Sequence, residues 1–430
     1  MRILGSVQST IHPGGNPLTL HYGSLYWPST WPDSPRYPHL TGTASCDVLI
    51  VGGGMSGAVC GLTLARSGLD AALIEQGEIA SGSSSSNTGL IQYSNDITLS
   101  DLARQIGEKD AVCFYRACKN AVEHMGVVAG SLPRDVEFNR RSSFYFASAP
   151  EDAKQLREEY ELLDRHNFGA EWWDEDQIAA RFPFRKEAAI VTHGDAELNP
   201  YRFVCTMVEA AAKEGLAVYE HTPMLSIERE DGRFAVRTGE GLIRANRIVL
   251  AVGYTPESAG SKRVLSKLNR SYAIATKPLP DLSGWHERFM LWETARPYLY
   301  LRATPDGRIV AGGLDEPQRQ PVLTAADLRQ RSQRLLAEIV KLFPDLRPEL
   351  AFEWCATFGE SADNLPWIGE DPDRPGIYLL LGYGGNGSVY STIGAQLIRD
   401  LLIGEENPLA RIVSPRRTCG GRGLSGSRGV

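Results

Sequence analysis

The sequence predicts an α/β fold in which a parallel-sheet unit is interleaved with an antiparallel-sheet α+β unit. Three observations carry this. A strand–glycine–helix–strand run lies near the N-terminus, a second strand–glycine–helix run lies near the C-terminus, and short alternating strands fill the middle. In the first run, Cys46-Asp47-Val48-Leu49-Ile50-Val51 has the apolar, β-branched composition of a buried parallel strand. Gly52, Gly53, Gly54, Met55, Ser56 and Gly57 then fit G-x-G-x-x-G. Gly52 permits the tight turn, Gly54 lets backbone approach a pyrophosphate, and Gly57 allows close helix–strand packing. Ala58 to Ser67 continues as a helix with Leu62, Leu64 and Ala65 as packing residues, and Gly68 ends it. The helix N-terminus would face the phosphates. A second strand, Asp70 to Ile74, ends at Glu75, 23 residues after Gly52 and followed by Gln76. A carboxylate there can accept hydrogen bonds from both ribose hydroxyls, so the whole unit reads as Rossmann-like and dinucleotide-binding.

The next segment, Ser81-Gly82-Ser83-Ser84-Ser85-Ser86-Asn87-Thr88-Gly89, offers small N–H and O–H donors to phosphate or to a ring edge. A flexible serine linker is the bland alternative, but linkers seldom interrupt a nucleotide domain directly after its second strand.

Together, the glycine motif, Glu75 and the small-residue loop resemble the FAD-dependent amino-acid and amine oxidoreductases, which include D-amino-acid oxidase, glycine oxidase and sarcosine oxidase. The resemblance runs from about Cys46 to about Arg417. It extends to a bacterial glycine-oxidase-like branch with an aromatic N-terminal arm like Tyr26-Trp27-Pro28. It implies non-covalent FAD and contacts from Ser83, Ser84, Asn87 and Thr88, with Met224, Ala251 and Gly253 from the middle of the chain.

Composition is that of an ordinary soluble globular protein. The 430 residues are 42% hydrophobic and 23% charged, enough for two interleaved domains with substantial cores. A net charge of −7 provides no basic surface for nucleic acid. No stretch approaches the ~20 apolar residues of a membrane span, and Met1 to Pro13 does not read as a signal peptide. Seven widely spaced cysteines form no CxxC or Cys/His cluster, so no metal site is expected and a reduced, cytoplasmic protein fits.

His21 to Pro38 carries Tyr22, Tyr26, Trp27, Trp31 and Tyr37 among four prolines, which predicts an extended arm lying over the body. Helices are expected over 99–125 (one or two), 151–167, from Asn199-Pro200 to about Lys213, and from Thr324 to about Phe343. Strands are expected at 140–147, 217–220, 225–229, 234–237, 247–252, 272–276, 298–302, 308–311 and 377–381, with Asp231-Gly232 as a turn. Residues 1–45 form the arm. Residues 46–135, 199–260 and 351–415 build the cofactor domain, 136–198 and 261–350 the substrate domain, and 416–430 a disordered tail.

A second glycine cradle, Gly382-Tyr383-Gly384-Gly385-Asn386-Gly387, precedes a helix from Ser388. One pyrophosphate needs one cradle, so this helix N-terminus would serve the pyrimidine edge of a flavin. The alternative is a tight turn without ligand. For substrate, strand alternation places Tyr298, Tyr300 and Arg302 on one face, and a guanidinium beside phenols suits a carboxylate clamp. The rival is an arginine paired to a local acid. Tyr272 is a further pocket candidate; Glu293 and Arg296 precede the Arg302 strand and could as easily form a surface pair, His193 and Asp195 read better as loop polar groups, and Asp363 matches a loop that the resemblance puts beside the flavin in a structural role. Cys355 stands one residue away from the offset at which some sarcosine oxidases tether flavin.

The resulting expectation is an enzyme oxidising the C–N bond of an amino acid or N-substituted glycine by hydride transfer to FAD. Its partners are a small amine substrate and O2 or another electron acceptor; homo-oligomerisation stays open. The rivals are a dehydrogenase feeding a quinone or carrier protein, and a flavin-binding protein without turnover.

Overall fold

The computed structural model describes residues 20–254, 266–317, 324–382 and 384–417. Two sheets organise it. In the first, strands run in the order Trp367–Glu370, Ile377–Leu381, Gly241–Leu250, Gly42–Val51, Ala71–Ile74 and Ala217–Tyr219. All of these neighbours pair in parallel except Trp367–Glu370, an antiparallel edge. The central strands are apolar at successive positions (Val48, Leu49, Ile50 and Leu379, Leu380, Leu381 are all buried) because helices cover one face and a meander the other. Helices Met55–Arg66, Pro200–Lys213 and Gly387–Ile403 pack together on one side. Asn199 caps the second of these by accepting from Arg202 N–H, with Pro200 in its first turn.

The second sheet is antiparallel for most of its width. It runs from His21–Gly23 through Leu350–Ser361, Ser266–Thr276, Ile309–Pro317, Leu299–Ala303, Met290–Glu293, Asn139–Phe146 and Ala188–Glu197 to Leu90–Ile91. Helix Ala325–Leu342 covers its outer face, with Thr324 and Asp327 forming a capping box. The mixed α/β class holds.

Several elements differ in extent from the sequence expectation. The 99–125 region is two helices, Leu99–Ile106 and Glu108–Ser131, broken at Gly107, whose φ of +90° only glycine adopts without strain. Strand 247–252 begins earlier, at Gly241, because the meander pairs with its first half. The arm joins the sheet edge through His21–Gly23 and buries Trp27 completely. The tail expectation is corrected at its start. Arg417 is fixed by Asp363 at 2.7 Å and lies 3.7 Å from the centre of the Trp367 ring; residues 418–430 lie outside the described residues.

Candidate active site

The N-terminal cradle is shaped by close backbone approach. A Cβ on Gly57 would stand 1.8 Å from the Gly52 carbonyl oxygen, and one on Gly52, at φ +112°, 2.4 Å from that of Ala251. Glu75 ends its strand with both carboxylate oxygens engaged, accepting from Gly53 N–H at 2.7 Å and Gly77 N–H at 2.8 Å. Burial pushes this carboxyl up, while those N–H groups pull it back down. Met55 N–H donates to the Ser84 hydroxyl at 2.8 Å, so the serine-rich segment, a 3-10 turn over Ser83–Ser86, closes on the start of the first helix. Ser56 meets Ser391 of the C-terminal helix at 2.8 Å.

The other expected cofactor residues are more scattered. Ala251 is buried and donates its N–H to Val51 at 2.8 Å. Met224 is half-buried beside the sheet with Tyr219 and Tyr254, Gly253 turns with φ +71°, and Gln76 is exposed. Glycines with no room for a side chain, an acid at the second strand end and a helix N-terminus together fit the diphosphate and ribose of FAD.

Beyond the cradle lies a cleft of about 970 Å³ when its open mouth is counted. Ser83, Asn87 and Thr88 line one side with Gly384, Gly385 and Asn386; Ser271, Trp292, Tyr298, Tyr300 and Asp315 of the antiparallel sheet line the other. Asp96 bridges the two walls, accepting from Gly385 N–H at 2.8 Å and from the Tyr298 hydroxyl at 3.1 Å. A Cβ on Gly385 would sit 2.6 Å from that carboxylate, which is why glycine stands there. Asn386 ties the loop down, donating to the Gln92 carbonyl at 2.9 Å and to Asn95 Oδ1 at 2.7 Å. Gly384 donates its N–H to Gly359, Ser388 is buried, and the Gly387–Ile403 helix starts directly behind them. The rings of Tyr298 and Tyr300 are 5.5 Å apart, and burial raises both phenols well above their ordinary range. Burial also pushes Asp315 up to about 6, with Asp96 and Glu360 adding to the shift.

A family model described as FAD dependent oxidoreductase matches residues 47–401. The chain belongs to that family. A probable oxidoreductase, OrdL, of Rhizobium meliloti is 26% identical over 90% of both chains. The gamma-glutamylputrescine oxidoreductase of Escherichia coli is 24% identical, again over 90% of both. Among solved structures, glycine oxidase from Geobacillus kaustophilus superposes with a TM-score of 0.76 at 21% identity, covering 87% of this chain and 100% of its own.

In this FAD-dependent oxidoreductase two of the three expected substrate residues do not reach the cleft. Arg302 is 1% exposed and its guanidinium is spent elsewhere. It donates to the Thr88 and Leu198 carbonyls, each at 2.8 Å, and pairs with buried Glu197 at 3.3 Å. Strand alternation does put it on the face of Tyr300, but it stands two residues further along, ~7 Å away, where Trp27 covers it. The rival reading, an arginine satisfied by a local acid, is the observed one. Tyr272 is also corrected. It is wholly buried in the outer core and its hydroxyl donates to Glu316. Ser271 lines the cleft instead, and across the strand pair Ala356 lines it while Cys355 shares the Tyr272 side. A one-residue error in strand facing exchanges every side chain.

Asp96, Asp315, Ser271 and Trp292 were not among the expected residues. One signal was available for Asp315. Gly312-Gly313 interrupts its strand, and a Cβ on Gly312 would collide with the Tyr300 ring, 2.4 Å from its oxygen. Asp96 lies in a loop with no motif around it. The lesser candidates are structural: Asp195 is buried, accepting from Tyr93 N–H and Thr192, His193 pairs with Glu171, and Glu293 holds Ser148 and Leu299.

Proposed function

We propose that the chain oxidises the C–N bond of a small amine, amino acids included, with FAD as the electron acceptor. The observation that carries this is the cleft itself. One wall is the serine turn and glycine loop adjoining the dinucleotide cradle, and the other is a wall of phenols and carboxyl groups. On this reading Gly54, Met55, Ser56 and Gly57 hold the pyrophosphate, and Glu75 and Gln76 the ribose. Ser83, Ser84, Asn87, Thr88 and Gly384 to Ser388 border the ring, while Met224, Ala251 and Gly253 lie along the adenosine side. Bound FAD supplies a hydride acceptor for the carbon beside the amine nitrogen, leaving an imine that water hydrolyses. The protein supplies the rest: Tyr298, Tyr300 and Trp292 exclude water, and Asp96 fixes the glycine loop against the sheet. Positioning of this kind is what the scaffold contributes to rate.

Among the described residues no helix is long and apolar enough to cross a membrane. The six described cysteines are unbridged, which supports residence in a reducing compartment such as the cytoplasm. The test is an absorption spectrum of the purified protein followed by anaerobic addition of amines and amino acids. Flavin bands that bleach with such a compound support the reading. Flavin bands that dithionite bleaches and no amine does would overturn it.

A further inference from the structure

Resting on that reading of the cleft, we infer that the substrate is an amine without a carboxylate beside the reacting carbon, and that Asp315 holds its ammonium group. The charge of the lining carries the argument. Among the described residues of the wall, two are acids, Asp96 and Asp315, and none is basic. The two differ in what they have left to offer. Asp96 already accepts a phenol hydroxyl and a backbone N–H. Asp315 is only partly buried and lines the cleft beside Ser271, and among the described residues no donor is recorded on its Oδ1. A carboxylate with acceptor capacity left over gains from a charged donor. An ammonium group is such a donor. The aromatic surround of Tyr298, Tyr300 and Trp292 favours a cation further.

Among the described residues a carboxylate finds no comparable place. Arg302 is sealed behind the wall, as described above. Arg296 lies against the wall with its guanidinium already engaged: it is 4.8 Å from the centre of the Tyr298 ring and donates to the carbonyls of Glu293, Thr294 and Ala295. Among the described lining residues a carboxylate entering the cleft would meet two acids and no base. Asp315 serves the chemistry as well as the binding. It takes the proton that the ammonium must lose, an N–H bond breaking as the carboxyl O–H forms. The carbon then gives up its hydride to FAD beside a nitrogen whose electron pair is free.

Matched pairs test this on the wild-type holoenzyme: alanine against ethylamine, and proline against pyrrolidine, by anaerobic flavin reduction. The amine of each pair should half-reduce at a concentration about ten- to hundred-fold below its amino acid, the fold-change of setting a carboxylate against like charge. Asp315→Asn, with its flavin spectrum retained, should raise the amine requirement by a similar factor, and Asp315→Glu should restore part of it. Arg296→Ala, which removes an opposite charge facing Asp315, should leave the preference for amine over amino acid in place. If the amino acids reduce the flavin more readily and Arg296→Ala abolishes this, the inference falls while C–N oxidation stands. If dithionite alone reduces the flavin, both fall together.

Discussion

Trp27 lies over Arg302, with the guanidinium carbon 5.0 Å from the centre of the ring, and the same indole donates its N–H to the Asn87 carbonyl at 2.6 Å. The aromatic arm, the serine turn and the antiparallel sheet therefore share one anchor, and Arg302 is its centre. Arg302→Ala should act on stability. It leaves Glu197, fully buried, with Arg141 as its remaining ion-pair partner, and losing one member of a buried pair costs about 3–5 kcal/mol. Thermal unfolding of the variant should show that loss. In whatever fraction folds with FAD, the substrate concentration for half-reduction should be unchanged; a rise confined to carboxylate substrates would return Arg302 to the site.

Gly57→Ala should abolish flavin retention. Its added carbon would stand 1.8 Å from the Gly52 carbonyl, and both atoms belong to backbone that cannot step aside. The flavin-to-protein absorbance ratio after gel filtration checks this, with Gly68→Ala, where no atom lies within 4 Å, as the comparison. Gly68 has φ +72°, so that control should lose some stability and keep its flavin.

Asp315 sets a pH dependence whose sign is determined by its surroundings. Asp96 and Glu360 face it with like charge, Arg296 with opposite charge, and Ser271 donates to it; burial is the largest influence, and the carboxyl stands at about 6 against an ordinary 3.8. Below about 6 the group is neutral and its hold on an ammonium weakens, so the amine concentration for half-reduction should climb as pH falls through that value. Asp315→Asn should flatten the climb. Stability moves the other way. A raised acid favours the folded state fully below 3.8, and that contribution is lost as pH rises through about 6. Asp315→Asn should therefore stabilise the flavin-free protein more at pH 7 than at pH 4, read from thermal unfolding at the two values.

Arg417→Ala should destabilise the C-terminal edge of the parallel sheet. Arg417 bonds Asp363 through two nitrogens, at 2.7 and 3.1 Å, and reaches the carbonyls of Leu365, Pro366 and Val413. Asp363 is held below the ordinary carboxylate range by this pairing despite its burial. A loss of roughly 1.5–3 kcal/mol, the scale of hydrogen bonds to a charged group, is expected. A chain ending at Pro415 should show a deficit at least as large as the substitution.

How much was legible in the sequence depended on the range of the interactions. The cradle was readable because its strand, glycine spacing and helix lie in one continuous run, with Gly57 answering to Gly52 five residues away, and the caps Asn199 and Thr324 follow from local hydrogen bonding. Tyr300 was readable from alternation along one strand. Which end of that strand meets the cleft was not, since Trp27, Thr88 and Glu197 come from distant segments. Tyr272 failed for a related reason. The bulge between Arg270 and Tyr272 shifts the pairing with Ile309–Pro317 and cannot be counted from one strand alone. Asp96 acts through Tyr298 and Gly385, 202 and 289 residues away, and no local pattern records such a meeting.

The contact between Ser56 and Ser391 spans 335 positions of the chain, and it carries a consequence for biosynthesis. A nascent polypeptide emerging from the ribosome can form the first strand–helix–strand run early, yet the helix that completes its flank is among the last to be made. Strands inserted between Gly42–Val51 and the later Ile377–Leu381 must also wait their turn, because Gly241–Leu250 sits between them in the sheet. Such distant pairings close slowly. The cradle thus gains its C-terminal flank only when the last third of the polypeptide has been made.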